Sequence, residues 1–97
     1  MAKAMTLLGF AKKAGKLNAG TESCIRAIIT GKAKLVIISN DAGDSIKSKV
    51  IRLASENDIK YIIFSESEEI SRTIGDKNKV VFTINDENFA QKIIESI

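Results

Sequence analysis

Apolar and polar positions along the chain follow two patterns, short continuous apolar runs and longer stretches with helical spacing. The continuous runs predict strands over residues 34–39, 59–64 and 80–84, after a short extended piece over residues 16–20. The first run, KLVIIS, is typical of a strand buried on both faces. Helical spacing predicts helices over residues 5–14 and 21–30, and three more that begin near Asp44, Ser65 and Asn85. This alternation predicts a single α/β domain over residues 1–97, with helices on both faces of one sheet.

Residues with capping chemistry precede the predicted helices. The expected caps are Thr21 for the second helix, Asp44 or Ser45 for the third, a Ser65–Glu68 capping box for the fourth and Asn85 for the last. Each cap would satisfy backbone N–H groups in the first turn, so these residues should set where the helices begin.

The composition excludes several kinds of protein and of site. The chain has 97 residues, enough for one core, and no apolar run near the roughly 20 residues that span a membrane. No secretory signal is expected, because no apolar stretch with a small-residue cleavage site follows the first lysine. The single cysteine, Cys24, cannot form an internal disulfide, which suits a reducing cytosol. The lack of histidine and the single cysteine together exclude the usual zinc sites, and the lack of histidine also excludes histidine acid–base catalysis.

Charge is distributed unevenly along the chain. Residues 1–52 carry ten lysine and arginine residues against three acids, a net +7, whereas residues 53–97 carry five against nine, a net −4. This split favours a polyanion-binding surface in the first half of the chain. The alternative is an ordinary solvated surface that is rich in lysine.

Residue types used in catalysis do not form a recognisable set. The polar residues that follow the first strong strand fit an enzyme site, but they also fit a loop with helix caps. They are Ser39, Asn40, Asp41 and Asp44. Cys24 lies on an apolar helical face and is expected in the core. No nucleotide-binding glycine pattern is present and no nucleophile is paired with a base, so we expect no enzymatic activity, cofactor or metal.

The segment GKLNAGTESCIR, residues 15–26, is the strongest candidate for ligand binding. Gly20 and Thr21 lead into the second helix, whose first amides and positive dipole end suit a phosphate. Arg26 lies further along that helix, within reach of a phosphate or of both acceptor atoms of a guanine edge. Four lysines lie nearby in sequence, Lys12, Lys13, Lys16 and Lys32. The alternative is a turn that only begins a helix.

Three stretches resemble the L7Ae/L30e ribosomal protein family, and especially its small bacterial branch of YlxQ-type proteins. They are AGKLNAGTESCIRAIITGKAKLVIISNDAG, SEEISRTIG and VVFTINDENFAQKI, and the likeness extends over residues 5–95. The resemblance implies a three-layer α/β/α sandwich around a mixed four-stranded sheet. It also implies binding of structured RNA, such as ribosomal RNA or a kink-turn, which is a helix–bulge–helix with tandem G·A pairs.

The resemblance implies RNA-binding roles for residues at the start of the second helix. Gly20 matches the glycine that lets the RNA backbone approach the helix, and Arg26 stands at the basic position that reaches toward the guanines. Glu22 and Ser23 depart from the family pattern, which commonly has asparagine and glutamate there.

Two loops are implied as further contacts. Asp41 matches the family's Asp-Ala segment after a strand, and Lys77 lies in the loop before the last strand, where we expect phosphate contact. The full predicted RNA-binding set is Lys13, Lys16, Gly20, Thr21, Glu22, Ser23, Arg26, Asp41 and Lys77.

Two functions are compatible with these residues. The first is non-catalytic binding of structured RNA through the start of the second helix and an adjacent basic rim. The alternative is a protein-binding accessory module of the translation or transcription machinery that kept the fold and lost specific RNA recognition. Glu22, Ser23 and the acidic second half motivate it. The resemblance implies a cytoplasmic protein that works near the ribosome or translation factors, and we expect a monomer.

Overall fold

The computed structural model describes residues 2–97, which alternate between helices and strands. The helices are α1 (Ala2–Lys13), α2 (Thr21–Ile29), α3 (Asp44–Glu56), α4 (Ser67–Ile74) and α5 (Glu87–Glu95). The strands are β1 (Leu17–Ala19), β2 (Leu35–Ile38), β3 (Lys60–Ile63) and β4 (Val81–Ile84). Every predicted strand is therefore confirmed, with ends that differ by at most one residue from the predicted ranges.

The four strands form one mixed sheet in the order β1-β4-β2-β3. Strands β2 and β3 pair in parallel, while β4 pairs antiparallel to both β1 and β2. Because β1, β2 and β3 run in the same direction, α2, α3 and α4 all begin at the same end of the sheet. We call this the upper end; β4 begins there and the first three strands end there.

Helices cover both faces of the sheet, which confirms the three-layer sandwich. Helices α1, α4 and α5 pack on one face, and α2 and α3 pack on the other. Strand β2 contributes Leu35 and Ile37 to the first core and Val36 and Ile38 to the second. All four side chains are buried, which explains why this strand is a continuous apolar run in the sequence.

None of the four predicted side-chain caps forms. The residue before α2 is Gly20, so Thr21 lies inside the helix, and no side chain of the described residues 2–97 caps the first turn. The residue before α3 is Gly43, and neither Asp44 nor Ser45 acts as a cap. Threonine, serine and aspartate are favoured as cap residues, but each helix begins before the position at which Thr21, Asp44 or Ser45 could cap it.

The cap of α5 is Asp86 rather than Asn85. The carboxylate of Asp86 accepts the N–H of Phe89 at 3.0 Å. Asn85 instead uses its side-chain amide in bonds to Asn18 and Thr83. These bonds, one to Asn18 on the neighbouring strand β1 and one to the nearby Thr83, occupy the side chain that the local pattern assigned to the cap of α5.

Candidate nucleic-acid interface

Helix α2 begins at the upper end of the sheet with its first turn open to solvent. Gly20 has φ +103°, a conformation that favours glycine, and its N–H donates to the carbonyl of Val81 at 2.9 Å. Glu22 is exposed, and Thr21 and Ser23 are half-buried. Since no side chain of residues 2–97 caps the helix, its first-turn amides stay available to an acceptor from outside these residues.

Lys79 lies directly over this helix start. Its Cδ and Nζ atoms are 3.5 and 3.6 Å from the position that a β-carbon on Gly20 would take. An ammonium group only donates hydrogen bonds, so Lys79 cannot satisfy the amides of the first turn. Within residues 2–97 the one ion pair joins Arg72 to Glu68, which leaves Lys79 without an acidic partner. The helix start and the Lys79 ammonium together form a positively charged site that suits an anion.

Sequence reasoning missed Lys79 and selected Lys77 from the same loop. The signal lies in the strand pairing, because β1 and β4 are antiparallel and Ala19 stands opposite Phe82. That register brings the residues just before β4 beside the residue just after β1. Knowledge of the β1–β4 pair would therefore have identified Lys79 as the neighbour of Gly20.

A chain of polar side chains holds the first turn of α2. The amide Nδ2 of Asn18 donates to Ser23 Oγ at 2.7 Å, and Asn18 Oδ1 accepts from Asn85 Nδ2 at 2.8 Å. The hydroxyl of Thr83, which is fully buried, completes the chain by donating to Asn85 Oδ1 at 3.1 Å. These bonds tie the candidate residue Ser23 to strands β1 and β4.

Glu22 and Arg26 lie one turn apart on the exposed side of α2. They form no ion pair with each other or with any other residue in the range 2–97. Arg26 is the sixth residue of the helix, so its backbone lies about 9 Å along the axis from Gly20. The carboxylate of Glu22 and the guanidinium of Arg26 can therefore contact a ligand at different distances along the helix from its start.

Asp41 has a structural role at the start of α4. Its carboxylate accepts the N–H of Ser67 at 2.9 Å and the hydroxyl of Ser67 at 2.6 Å. These bonds from Ser67 lower the pKa of Asp41 to about 2. The predicted Ser65–Glu68 capping box is wrong, because α4 begins at Ser67 and is capped by a residue 26 positions away. A contact between Asp41 and RNA stays a prediction.

An open groove of about 710 Å³ lies beside α4 at the upper end. Its lining residues are Asp41, Ser67, Glu68, Ser71, Arg72, Gly75, Lys77 and Asn78. Lys77 thus faces the groove, whereas Lys79 covers Gly20. Lys77 and Lys79 thus place positive charge on opposite sides of the loop before β4.

Lys13 and Lys16 lie away from the positively charged site formed by Gly20 and Lys79. Lys16 precedes β1 and its carbonyl accepts the N–H of Asn85, which follows β4 at the lower end of the sheet. An extended strand rises about 3.3 Å per residue, so Lys16 and Gly20 are about 13 Å apart along the chain. Closeness in sequence thus did not predict closeness in space, because β1 lies between them.

The remaining chemistry of the chain is sparse. Burial raises the pKa of the Cys24 thiol to about 12, which leaves it protonated in the core as expected. Within residues 2–97, no group of three or more Cys, Asp or Glu residues is arranged to hold a metal ion. No helix in this range combines the length and the apolar composition needed to cross a membrane.

Comparison with known proteins places this geometry in a family. The model of the ribosomal protein L7Ae/L30e/S12e/Gadd45 family matches residues 2–94. The RNA-binding protein YlxQ of Enterococcus faecium is 44% identical over 98% of this chain and 91% of its own length. The RNA-binding protein YlxQ of Bacillus subtilis (strain 168) is 32% identical, over 91% of this chain and 88% of its own.

Two solved structures have the same fold. A protein of unknown function from Bacillus halodurans C is similar with a TM-score of 0.94 and 32% identity, over 98% of this chain and 96% of its own. A 15.5kD RNA binding protein of Giardia lamblia shares the fold with a TM-score of 0.82 and 18% identity, over 97% and 81% of the two chains. The chain therefore belongs to the ribosomal protein L7Ae/L30e/S12e/Gadd45 family.

Proposed function

We propose that this protein binds structured RNA without catalysis, and that the start of α2 receives the RNA. The observation that carries this proposal is the uncapped, solvent-open first turn with the Lys79 ammonium over Gly20. The two YlxQ relatives, whose names describe RNA-binding proteins, support the class of ligand.

Each part of the start of α2 has a role in this proposal. A phosphate binds the first-turn amides, and the absent side chain of Gly20 lets the RNA backbone approach them. Lys79 neutralises the phosphate from the other side. Arg26 places its planar donors on a guanine edge or on a further phosphate, while Glu22 accepts from a base amino group.

The loop before β4 extends the proposed contact toward the groove beside α4. Lys77 and Arg72 both line that groove, but Arg72 is paired there with Glu68, so the unpaired cation of the groove is Lys77 within residues 2–97. Aromatic side chains do not line it, so we propose phosphate contact rather than base stacking at this position. The RNA would then be held by its folded shape and its backbone, with base reading limited to Glu22 and Arg26 of α2.

A gel-shift titration tests the proposal with a kink-turn RNA and a control whose G·A pairs are disrupted, each at two salt concentrations. We expect saturable binding of the kink-turn RNA that weakens with salt, and weaker binding of the control RNA. Equal affinity for both RNAs would remove kink-turn specificity and leave general RNA binding. No shift of either RNA at low salt would overturn the proposed function.

A second candidate is an accessory module that binds a basic protein surface. The observation that favours it is the cluster of exposed acids at the start of α4, Glu66, Glu68 and Glu69. A partner that stays bound to the protein after nuclease treatment, together with no RNA shift at moderate salt, would support this candidate. In both cases we propose a cytoplasmic monomer that works near the translation or transcription machinery.

A further inference from the structure

Helix α3 presents a stripe of hydroxyl and cationic side chains to solvent. The stripe consists of Ser45, Ser48, Lys49 and Arg52, all of which are exposed. Their spacing of three or four residues places them on one side of the helix. Val50 and Ala54 are buried on the opposite side against the sheet. We call this set the α3 stripe.

The charges of the α3 stripe are not explained by interactions within the protein. Lys49 has Ser45 and Leu53 four residues away, so it has no acidic neighbour along the helix. Arg52 has Glu56 four residues away, but no ion pair joins them. In α4, by contrast, Arg72 and Glu68 have the same spacing and meet at 3.2 Å.

The helix dipole does not account for these cations either. Cations stabilise the last turn of a helix, yet the last turn of α3 has none and ends at Glu56. The neighbouring Lys47 is different, because its ammonium donates to the carbonyl of Asn40 at 2.9 Å and so holds the loop before α3. Lys49 and Arg52 thus have no such structural use within residues 2–97.

The α3 stripe lies on the same face of the sheet as the proposed RNA site. Helices α2 and α3 share one core on the same face of the sheet, and both begin at its upper end. From Ser45 to Arg52 the stripe runs about 10 Å down the helix axis. Lysine, arginine and serine are side chains that contact phosphate oxygens in protein–nucleic acid complexes.

We propose that the α3 stripe binds the phosphate backbone of an RNA stem that continues beyond the nucleotides held at the start of α2. This inference rests on the proposed function. The contact is electrostatic and independent of sequence, so it adds affinity for long RNAs without adding discrimination between G·A-containing and disrupted RNAs.

The test compares the double variant Lys49→Gln/Arg52→Gln with the matched control Lys3→Gln/Lys92→Gln, which removes the same charge from the opposite layer. The RNA is a kink-turn with one extended stem. If both contacts are lost, the slope of log K against log salt falls by about 1.4–1.8, and affinity at 0.15 M salt falls roughly ten- to thirty-fold. The control variant should match the wild type.

Two further comparisons isolate the α3 stripe. The charge-conserving variant Lys49→Arg/Arg52→Lys should bind as the wild type does. A short RNA without the extended stem should bind the Lys49→Gln/Arg52→Gln variant and the wild type equally.

Equal salt slopes for the Lys49→Gln/Arg52→Gln variant and its control would overturn the inference alone, provided that the wild type binds the RNA. Failure of the wild type to bind any structured RNA would overturn the proposed function and the inference together. Loss of binding to the short RNA would also contradict the inference, because it would place the effect outside the stem.

Discussion

The side chain of Lys79 covers Gly20, and its Nζ lies 3.6 Å from the place that a β-carbon would occupy. The two residues are 59 positions apart in the sequence, and the antiparallel pairing of β1 with β4 brings them together. A cation at the positive end of a helix is unfavourable unless an anion lies between them. This pair therefore defines the position where we expect RNA to bind.

Replacing Gly20 with alanine should destabilise the fold and weaken RNA binding. At φ +103° the cost is backbone strain of roughly 1–3 kcal/mol, because Lys79 stands at an ordinary contact distance from the new β-carbon. Urea denaturation and gel shifts measure the two effects. The control is Gly31→Ala, which is strained at φ +80° but lies at the other end of α2. An equal loss of RNA affinity in both variants would contradict a local role for Gly20.

Removing the ammonium of Lys79 should weaken binding to every RNA. Lys79→Ala should reduce the slope of log K against log salt by about 0.7–0.9, as expected for one lost phosphate contact. Lys13→Ala is a matched control, because Lys13 ends α1 beyond the lower end of β1 and away from Gly20. Salt titrations of affinity measure both. A larger change for Lys13 than for Lys79 would place the RNA at the lower end of the sheet instead.

Asn18→Ala should destabilise the protein by about 1–3 kcal/mol, because Ser23 and Asn85 each lose a hydrogen-bond partner in a partly buried position. We expect amide exchange at the start of α2 to become faster. Asn88→Ala, at an exposed position of α5, should change stability by about 0.5 kcal/mol or less. Equal unfolding free energies for the two variants would show that the hydrogen bonds of Asn18 do not stabilise the start of α2.

The layered fold could be predicted from sequence, because apolar spacing depends only on which side of each element is buried. Leu35 to Ile38 show this most clearly, since each of these four residues is apolar and fully buried. The order of the strands could not be predicted in this way. It depends on which edges pair, and the contact of Lys79 with Gly20 depends on that pairing.

The candidate site was predicted only in part. Local sequence placed Gly20 just before α2, but it assigned the capping position to Thr21 rather than to Gly20. It wrongly grouped Lys16 with Gly20, since a strand of three residues carries them to opposite ends of the sheet. It also missed the cap of α4, because Asp41 reaches Ser67 across the sheet end rather than along the chain.

Asp41 should make the stability of α4 depend on acid pH. Its pKa is about 2 in the folded protein and about 3.9 when unfolded, so its contribution is complete above about pH 5 and is lost as the pH falls toward 2. Asp41→Asn should therefore be less stable than the wild type at pH 7, and the difference should shrink toward pH 2. Thermal unfolding across this range measures it. A difference of constant size would contradict the cap.

An amide NMR titration of isotope-labelled protein with a kink-turn RNA tests the start of α2 most directly as the RNA-binding site. We predict that the amides of Gly20, Thr21 and Glu22 and those of the loop before β4 shift first and most. Amides at the lower end of the sheet, including Lys16, should move little. Large shifts at the lower end or along α5, with Gly20 and Thr21 unchanged in the saturated complex, would contradict the start of α2 as the RNA-binding site.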